Sequence, residues 1–150
     1  DFLMFARVPG ICVVLSIFLT LLAPLVVSAD GKPFAPESID GVVIVTAEEA
    51  IDLILDNPDM PIIDSRKKTE YVKGHIEGAV SLLDTEMTEQ DIKSIAPDSE
   101  TAILFYCNGV RCLRSSNAIA RVKDWGYTNL IWFRGGWKEW SEKRLPVVTR

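Results

Sequence analysis

Histidine and cysteine are scarce in this chain, whose 150 residues include one histidine, His75, and three cysteines. No C-x-x-C pair is present, and one imidazole gives little support to a metal site, so structural zinc is not expected. Three cysteines are also too few for a disulfide framework. Cys12 lies in the N-terminal apolar segment, which leaves Cys107 and Cys112 as the thiol pair of the folded part.

Positive charge is also in deficit, with 16 lysines and arginines against 21 acidic residues and a net charge of -5. A nucleic-acid-binding protein would need a basic face, so this composition argues against nucleic acid as a partner. The sequence has no low-complexity tract, heptad pattern or internal repeat. Roughly 120 residues follow the N-terminal segment, enough for one hydrophobic core and not two.

The one long apolar run lies near the N-terminus, where residues 11–29 carry no charge. It ends in Val27-Ser28-Ala29, a small-residue pattern that a signal peptidase accepts, and Pro24 would break a helix before that site. We interpret residues 1–29 as a signal peptide or membrane anchor and favour cleavage; the alternative is that residues 11–29 anchor the protein in the membrane. In both cases we expect an exported protein, located in a bacterial periplasm.

The rest of the chain alternates short apolar runs with amphipathic stretches. Residues 30–41 are rich in glycine, proline and polar residues and predict a linker, and residues 42–150 form the domain. The alternation predicts a single α/β domain with a mostly parallel central sheet, helices on both faces and a functional loop at the C-terminal end of a strand. Expected strands lie at 42–45, 61–63, within 74–81, at 102–106 and at 130–133, and expected helices at 46–57, 67–72, 88–95, after the loop that starts at 107, and at 137–143.

The loop after the strand at 102–106 carries the chemistry. Ser115 or Ser116 is a suitable N-cap for the next helix, so the loop should end above a helix N-terminus, which favours anions. There the thiolate of Cys107 could act as a nucleophile; the competing interpretation is a buried thiol that packs like a small hydrophobic residue. Candidate anion-binding residues are Asn108, Gly109, Val110, Arg111, Cys112, Arg114 and Ser115.

Four short elements follow one another over residues 42–147. Residues 64–66 read D-x-R, and residues 70–79 read E-Y-x-x-G-H-I-x-G-A. Tyr106-Cys107 begins a glycine-bearing loop, and residues 135–140 read G-G-x-x-x-W. In this order the four elements resemble those of rhodanese-like domains, with the loop at Cys107 in the place of the active-site loop, and together the matches are highly specific.

The resemblance implies a sulfurtransferase that needs no cofactor. Cys107 would attack the outer sulfur of a donor such as thiosulfate, a polysulfide or a persulfide, hold it as a persulfide, and pass it to a thiol or cyanide. The donor would be a small anion and the acceptor possibly a protein thiol, with membrane contact only through an uncleaved N-terminal segment. Asp64 and Arg66 are expected to form an ion pair that braces the loops, and His75 is expected to be structural.

The loop itself resembles a minority group within the family that reads C-N-G-x-x-C-x-R-S. Many members place an arginine five residues after the cysteine, whereas here Arg111 is four positions on and Arg114 seven. Which arginine faces the substrate therefore stays open. Cys112 is either a second redox-active thiol, able to form a disulfide with Cys107 or to attack its persulfide and release sulfide, or a packing residue.

Three other functions would use the same fold or the same pair of thiols. A phosphatase of this fold would use C-x-x-x-x-x-R, and neither arginine has that spacing. A non-catalytic binding module would usually lack the cysteine. A thiol-disulfide redox protein would use Cys107 and Cys112.

Overall fold

The structure, a computed structural model, describes Gly31 and residues 33–149. Cys12 and the predicted signal peptide or anchor at 1–29 lie outside the described residues. Within the described part of the chain, no helix is both long and apolar enough to span a bilayer.

Five strands form one sheet in the order β1-β5-β4-β2-β3, and every pairing within it is parallel. Helices connect the strands, as the alternation in the sequence predicted. The strands are β1 (Val42–Ile44), β2 (Ile62–Asp64), β3 (Ala79–Ser81), β4 (Ile103–Tyr106) and β5 (Leu130–Phe133); the helices are α1 (Ala47–Asp56), α2 (Lys68–Tyr71), α3 (Glu89–Ile95), α4 (Arg114–Asp124) and α5 (Gly136–Glu142).

Side chains of the sheet are buried on both faces, because helices cover each of them. The three inner strands β2, β4 and β5 are buried along their whole length; β4 and β5 read as continuous apolar runs, as expected for a covered parallel sheet, and β2 ends in the buried Asp64. One face packs against α3 and α4 through a cluster that includes Phe105, Ile119 and Trp132. The other face packs against α1, α2 and α5 through a cluster that includes Leu104 and Trp140. The predicted fold class is confirmed.

Helix α4 begins at Arg114, with Leu113 at the N-cap and no side-chain cap. The prediction that Ser115 or Ser116 caps it was wrong, since both residues lie inside the first turn. The Ser115 hydroxyl instead accepts a hydrogen bond from Trp132 Nε1 at 3.0 Å, and the Ser116 hydroxyl donates to the carbonyl of Leu113 at 2.8 Å. The Ser115 hydroxyl therefore links α4 to β5, the Ser116 hydroxyl bonds within the first turn, and neither hydroxyl caps the backbone N–H groups of α4.

The stretch at 30–41, which we predicted as a linker, packs on the domain from residue 33 onward. Ala35 is buried, and its N–H donates to the carbonyl of Val110 at 2.8 Å. Arg134 donates to the carbonyls of Ala35 at 2.9 Å and Pro36 at 2.7 Å. Ile39 adds apolar contact with the core. The buried Ala35, the apolar contact of Ile39 and the hydrogen bonds of Arg134 together hold this segment on the domain, although its glycine and proline content is typical of linkers.

Candidate active site

Cys107 lies at the C-terminal edge of the sheet, immediately after β4. The four residues of β4 are fully buried, and Cys107 itself is 1% exposed. In an open parallel α/β sheet this edge is where ligands bind. Cys107 therefore lies directly after the central strand β4, at the edge of the sheet where proteins of this architecture bind their ligands.

A disulfide joins Cys107 to Cys112, with their Cα atoms 6.2 Å apart. The loop reverses direction between them, and the Cys112 N–H donates to the carbonyl of Gly109 at 2.8 Å. The sequence left this pairing open, and the structure has it formed. In this oxidised state neither sulfur is a thiolate, so Cys107 becomes a nucleophile only after the disulfide is reduced.

A cavity of about 580 Å³ lies over the loop. The predicted binding residues from Asn108 to Cys112 and Arg114 line it, whereas Ser115 is buried in the first turn of α4 and is not part of its wall. Three cationic residues line it, whereas Cys107 is buried and is not part of its wall. Its full lining is Pro33, Asn108, Gly109, Val110, Arg111, Cys112, Leu113, Arg114 and Lys138.

The N-terminal turn of α5 contacts the backbone of the active-site loop. The N–H groups of Trp137 and Lys138 donate to the carbonyls of Cys107 and Asn108 at 2.8 and 3.0 Å. Gly136 makes this approach possible, because a Cβ there would lie 3.0 Å from the carbonyl carbon of Cys107 and closer still to its oxygen. Its φ of +58° is also one that a side chain would disfavour. Gly136 thus lets the backbone of α5 approach the backbone of the active-site loop closely.

Glu70 holds two of the loop residues and was not predicted as part of the site. It accepts hydrogen bonds from Asn108 Nδ2 at 2.7 Å and from Arg114 at 3.3 Å. Partial burial opposes its ionisation, but the bonds from Asn108 and from the Lys67 backbone, with the charge of Arg114, lower its pKa overall. The carboxylate is therefore charged at neutral pH, and its stabilising effect is lost only as the pH falls through this lowered pKa.

The two arginines of the loop lie in different surroundings. Arg114 is partly buried, and its Nε lies 3.3 Å from the sulfur of Cys112. Arg111 is exposed, and its guanidinium lies over the ring of Phe34 at 4.5 Å from the centroid. Arg114 is thus close to the disulfide, whereas Arg111 lies beside Phe34 at the cavity wall.

Asp64 and Arg66 form a buried ion pair, with 2.6 Å between Asp64 Oδ2 and the guanidinium. Arg66 also donates to the carbonyl of Gly74 at 2.7 Å, and Tyr106 donates to Asp64 at 2.6 Å. Burial opposes the charge of Arg66, yet the bonds and the charge of Asp64 raise its pKa overall. Burial, then the charge of Asp64, raises the pKa of Tyr106. Arg66 therefore stays charged and the Tyr106 hydroxyl stays protonated around neutral pH.

This pair reaches the active-site loop through one aromatic ring. The guanidinium of Arg66 lies 4.3 Å from the ring centroid of Trp137, whose backbone N–H binds the carbonyl of Cys107. His75 is buried nearby, with its Nδ1 2.9 Å from the carbonyl oxygen of Tyr71 and its ring stacked on that tyrosine. These contacts are structural and lie on the face of the sheet away from α4.

Replacing Arg66 with alanine should cost about 3–5 kcal/mol of unfolding free energy, because it leaves the Asp64 carboxylate buried without its ion partner. Urea unfolding measures the loss. The control is Lys93→Ala, which removes an exposed partner of Glu89 and should cost less than about 1 kcal/mol. Equal losses in the two variants would contradict the importance of burial in this pair.

Comparison with known proteins agrees with this geometry. The sequence model of the rhodanese-like domain family matches residues 46–143. The uncharacterized protein YibN of Escherichia coli is 25% identical over 108 residues, which cover 71% of this chain and 73% of that protein. A tRNA uridine(34) hydroxylase of Salmonella arizonae is 32% identical over 129 residues, covering 79% of this chain but only 35% of the hydroxylase.

Among solved structures, the solution structure of the polysulfide-sulfur transferase homodimer of Wolinella succinogenes has the same fold. It superimposes with a TM-score of 0.57 at 21% identity, covering 73% of this chain and 80% of that one. The family match spans well over half of the sequence and includes every strand from β2 to β5 and the whole active-site loop. This chain belongs to the rhodanese-like domain family.

Proposed function

We propose that this protein is a sulfurtransferase that carries sulfane sulfur on Cys107. The observation that supports it best is the position of this cysteine, at the end of a buried central strand and at the base of a loop whose cavity is lined by cationic side chains. Such a setting favours a thiolate and an anionic donor together. The family's relatives include a protein named as a polysulfide-sulfur transferase.

The reaction has two displacement steps at sulfur. In the first, the Cys107 thiolate attacks the outer sulfur of thiosulfate, a polysulfide or a persulfide; the new S–S bond gives a Cys107 persulfide, and the old one breaks to release sulfite or a shortened thiolate. In the second, a thiol or cyanide attacks the outer sulfur and restores the Cys107 thiolate. Each step forms one bond to the transferred sulfur and breaks another, so neither step requires a cofactor.

The test of this function is thiocyanate formation from cyanide by the reduced protein, with thiosulfate and a polysulfide as alternative donors. Turnover with either donor, dependent on prior reduction of the disulfide, is the expected result. The absence of thiocyanate with every donor from a protein shown to have free Cys107 would contradict the proposal.

A thiol-disulfide redox protein is the second candidate, favoured by the disulfide between Cys107 and Cys112. Both functions can use the same bond, since the Cys112 thiolate can attack the inner sulfur of a Cys107 persulfide. That attack forms the disulfide and expels hydrosulfide, which takes up the sulfur and the electron pair. A persulfide on Cys107 therefore distinguishes the two functions: it is an intermediate of sulfur transfer and is absent from thiol-disulfide redox chemistry.

Arg114 and Arg111 should differ in their effect on an anionic donor. Arg114 lies near the cysteine sulfurs, so Arg114→Ala should raise the KM for thiosulfate about tenfold or more, the usual effect of losing one charge-assisted hydrogen bond. Arg111→Ala should raise it less, because this side chain is exposed. Both variants should change the KM for a neutral persulfide donor much less than the KM for thiosulfate. An equal rise in KM for both donors would argue against anion binding.

We also propose that the protein is exported, to a bacterial periplasm, with residues 1–29 removed or retained as an anchor. The apolar run at 11–29 supports export, and a disulfide in the active-site loop is compatible with an oxidising compartment. Cell fractionation with an intact-mass measurement tests both parts. Full-length protein found with the cytosolic fraction would contradict them.

A further inference from the structure

The Ser65 hydroxyl has no role in the two displacement steps of sulfur transfer. Its side chain is fully buried, and among the described residues its hydroxyl is the buried side-chain polar atom without a hydrogen-bond partner. Buried polar groups are almost always paired, because leaving one unpaired costs free energy. The unpaired hydroxyl indicates that Ser65 has its hydrogen-bond partner in another state of the protein.

Strand pairing places Ser65 beside Cys107. Asp64 of β2 pairs with Tyr106 of β4, and the Ser65 N–H donates to the carbonyl of Tyr106 at 2.9 Å, which extends the ladder by one residue. Asp64 and Tyr106 bond to each other on one face of the sheet. Because side chains alternate, the following residues of the two strands, Ser65 and Cys107, belong to the other face, on strands that are ~4.8 Å apart.

We infer that the Ser65 hydroxyl donates a hydrogen bond to the sulfur of Cys107 once the disulfide is open. In the oxidised state the Cys107 sulfur is bonded to Cys112, carries no charge and accepts no bond from Ser65. Reduction gives a thiolate in a buried position, where a neighbouring donor stabilises the charge. The same donor can stabilise the terminal charge or inner sulfur of a persulfide.

This assignment deepens the proposed function and rests on it for its role in sulfur transfer. The hydrogen bond itself predicts two properties that need no sulfur donor. It lowers the pKa of the Cys107 thiol, and it makes the reduced state more favourable relative to the disulfide. Because the hydroxyl is unpaired when the disulfide is closed, removing it should not destabilise the oxidised protein.

The experiment compares the parent with Ser65→Ala in the reduced protein, by the rate at which iodoacetamide alkylates Cys107 as a function of pH. The rate is followed by mass on the peptide that contains Cys107, in a Cys112→Ser background. We expect the midpoint to rise by about one pH unit and the rate below it to fall about tenfold, the effect of one hydrogen bond to a charged sulfur. Ser65→Thr, which keeps the hydroxyl, should retain the parent profile.

The control is Ser81→Ala, which removes a partly buried hydroxyl from the neighbouring strand β3 and should leave the profile unchanged. Superimposable profiles of the parent and Ser65→Ala would overturn the inference, as would a Ser65→Thr profile that matches the alanine variant. An oxidised Ser65→Ala protein that melts below the parent, or fails to fold, would show that the hydroxyl is bonded elsewhere and would also overturn it. A parent that transfers no sulfur would refute the proposed function and leave these alkylation results valid.

Discussion

Cys107→Ser should lower thiocyanate formation by the reduced protein by more than about a thousandfold, since loss of a nucleophile removes the covalent route altogether. A serine hydroxyl at this position is a poor nucleophile for sulfur and cannot form a persulfide. Cyanide-dependent thiocyanate formation, with thiosulfate and polysulfide as donors, measures the effect. The matched control is Cys112→Ser, which removes the other sulfur of the same disulfide and should retain activity.

Both serine variants lose the disulfide, so they share any effect of its loss on stability. Circular dichroism and urea unfolding should give similar curves for the two proteins. An active Cys107→Ser protein, or two variants that are equally inactive, would show that Cys107 is not the sulfur carrier.

Without reductant the parent should be almost inactive, and Cys112→Ser should be active. The disulfide blocks the Cys107 sulfur in the parent, whereas the variant cannot close it. After reduction and removal of the reductant, Cys112→Ser should also keep its persulfide at least about tenfold longer than the parent, because no neighbouring thiolate is available to expel hydrosulfide. Sulfide release after loading with polysulfide measures the lifetime, and thiol titration before and after reduction measures the disulfide.

Identical persulfide lifetimes in the parent and Cys112→Ser would contradict a resolving role for Cys112. Two free thiols in the loop of the parent after mild oxidation would also contradict a functional disulfide. Either result would leave Cys112 as a packing residue next to Arg114.

The fold could be predicted from local signals. Alternating apolar runs gave each strand, and the capping box of Thr46 and Glu49 marked the start of α1. The start of α4 could not be predicted in the same way, because Ser115 and Ser116 form their hydrogen bonds with Trp132 and Leu113 rather than with the first turn. A potential N-cap is recognisable in sequence, but the tertiary partner that competes for its hydroxyl is not.

The site was predictable where its residues are close in sequence and was missed where they are not. The loop from Cys107 to Arg114 stood out as one run, whereas Glu70 lies 38 residues before its partner Asn108. The family element that contains Glu70 was recognised, yet nothing in it indicates that the carboxylate reaches the loop. The contact of Ala35 with Val110 was missed for another reason, since the segment that contains it has a linker's composition.

The most direct test of the central claim is the intact mass of the reduced Cys112→Ser protein, which cannot expel the bound sulfur as hydrosulfide, after exposure to thiosulfate or polysulfide. A sulfurtransferase of this kind should gain the mass of one sulfur atom, located on the peptide that contains Cys107, and lose it on addition of cyanide with formation of thiocyanate. A reduced protein with a free Cys107 thiol that gains no sulfur from either donor would contradict the claim.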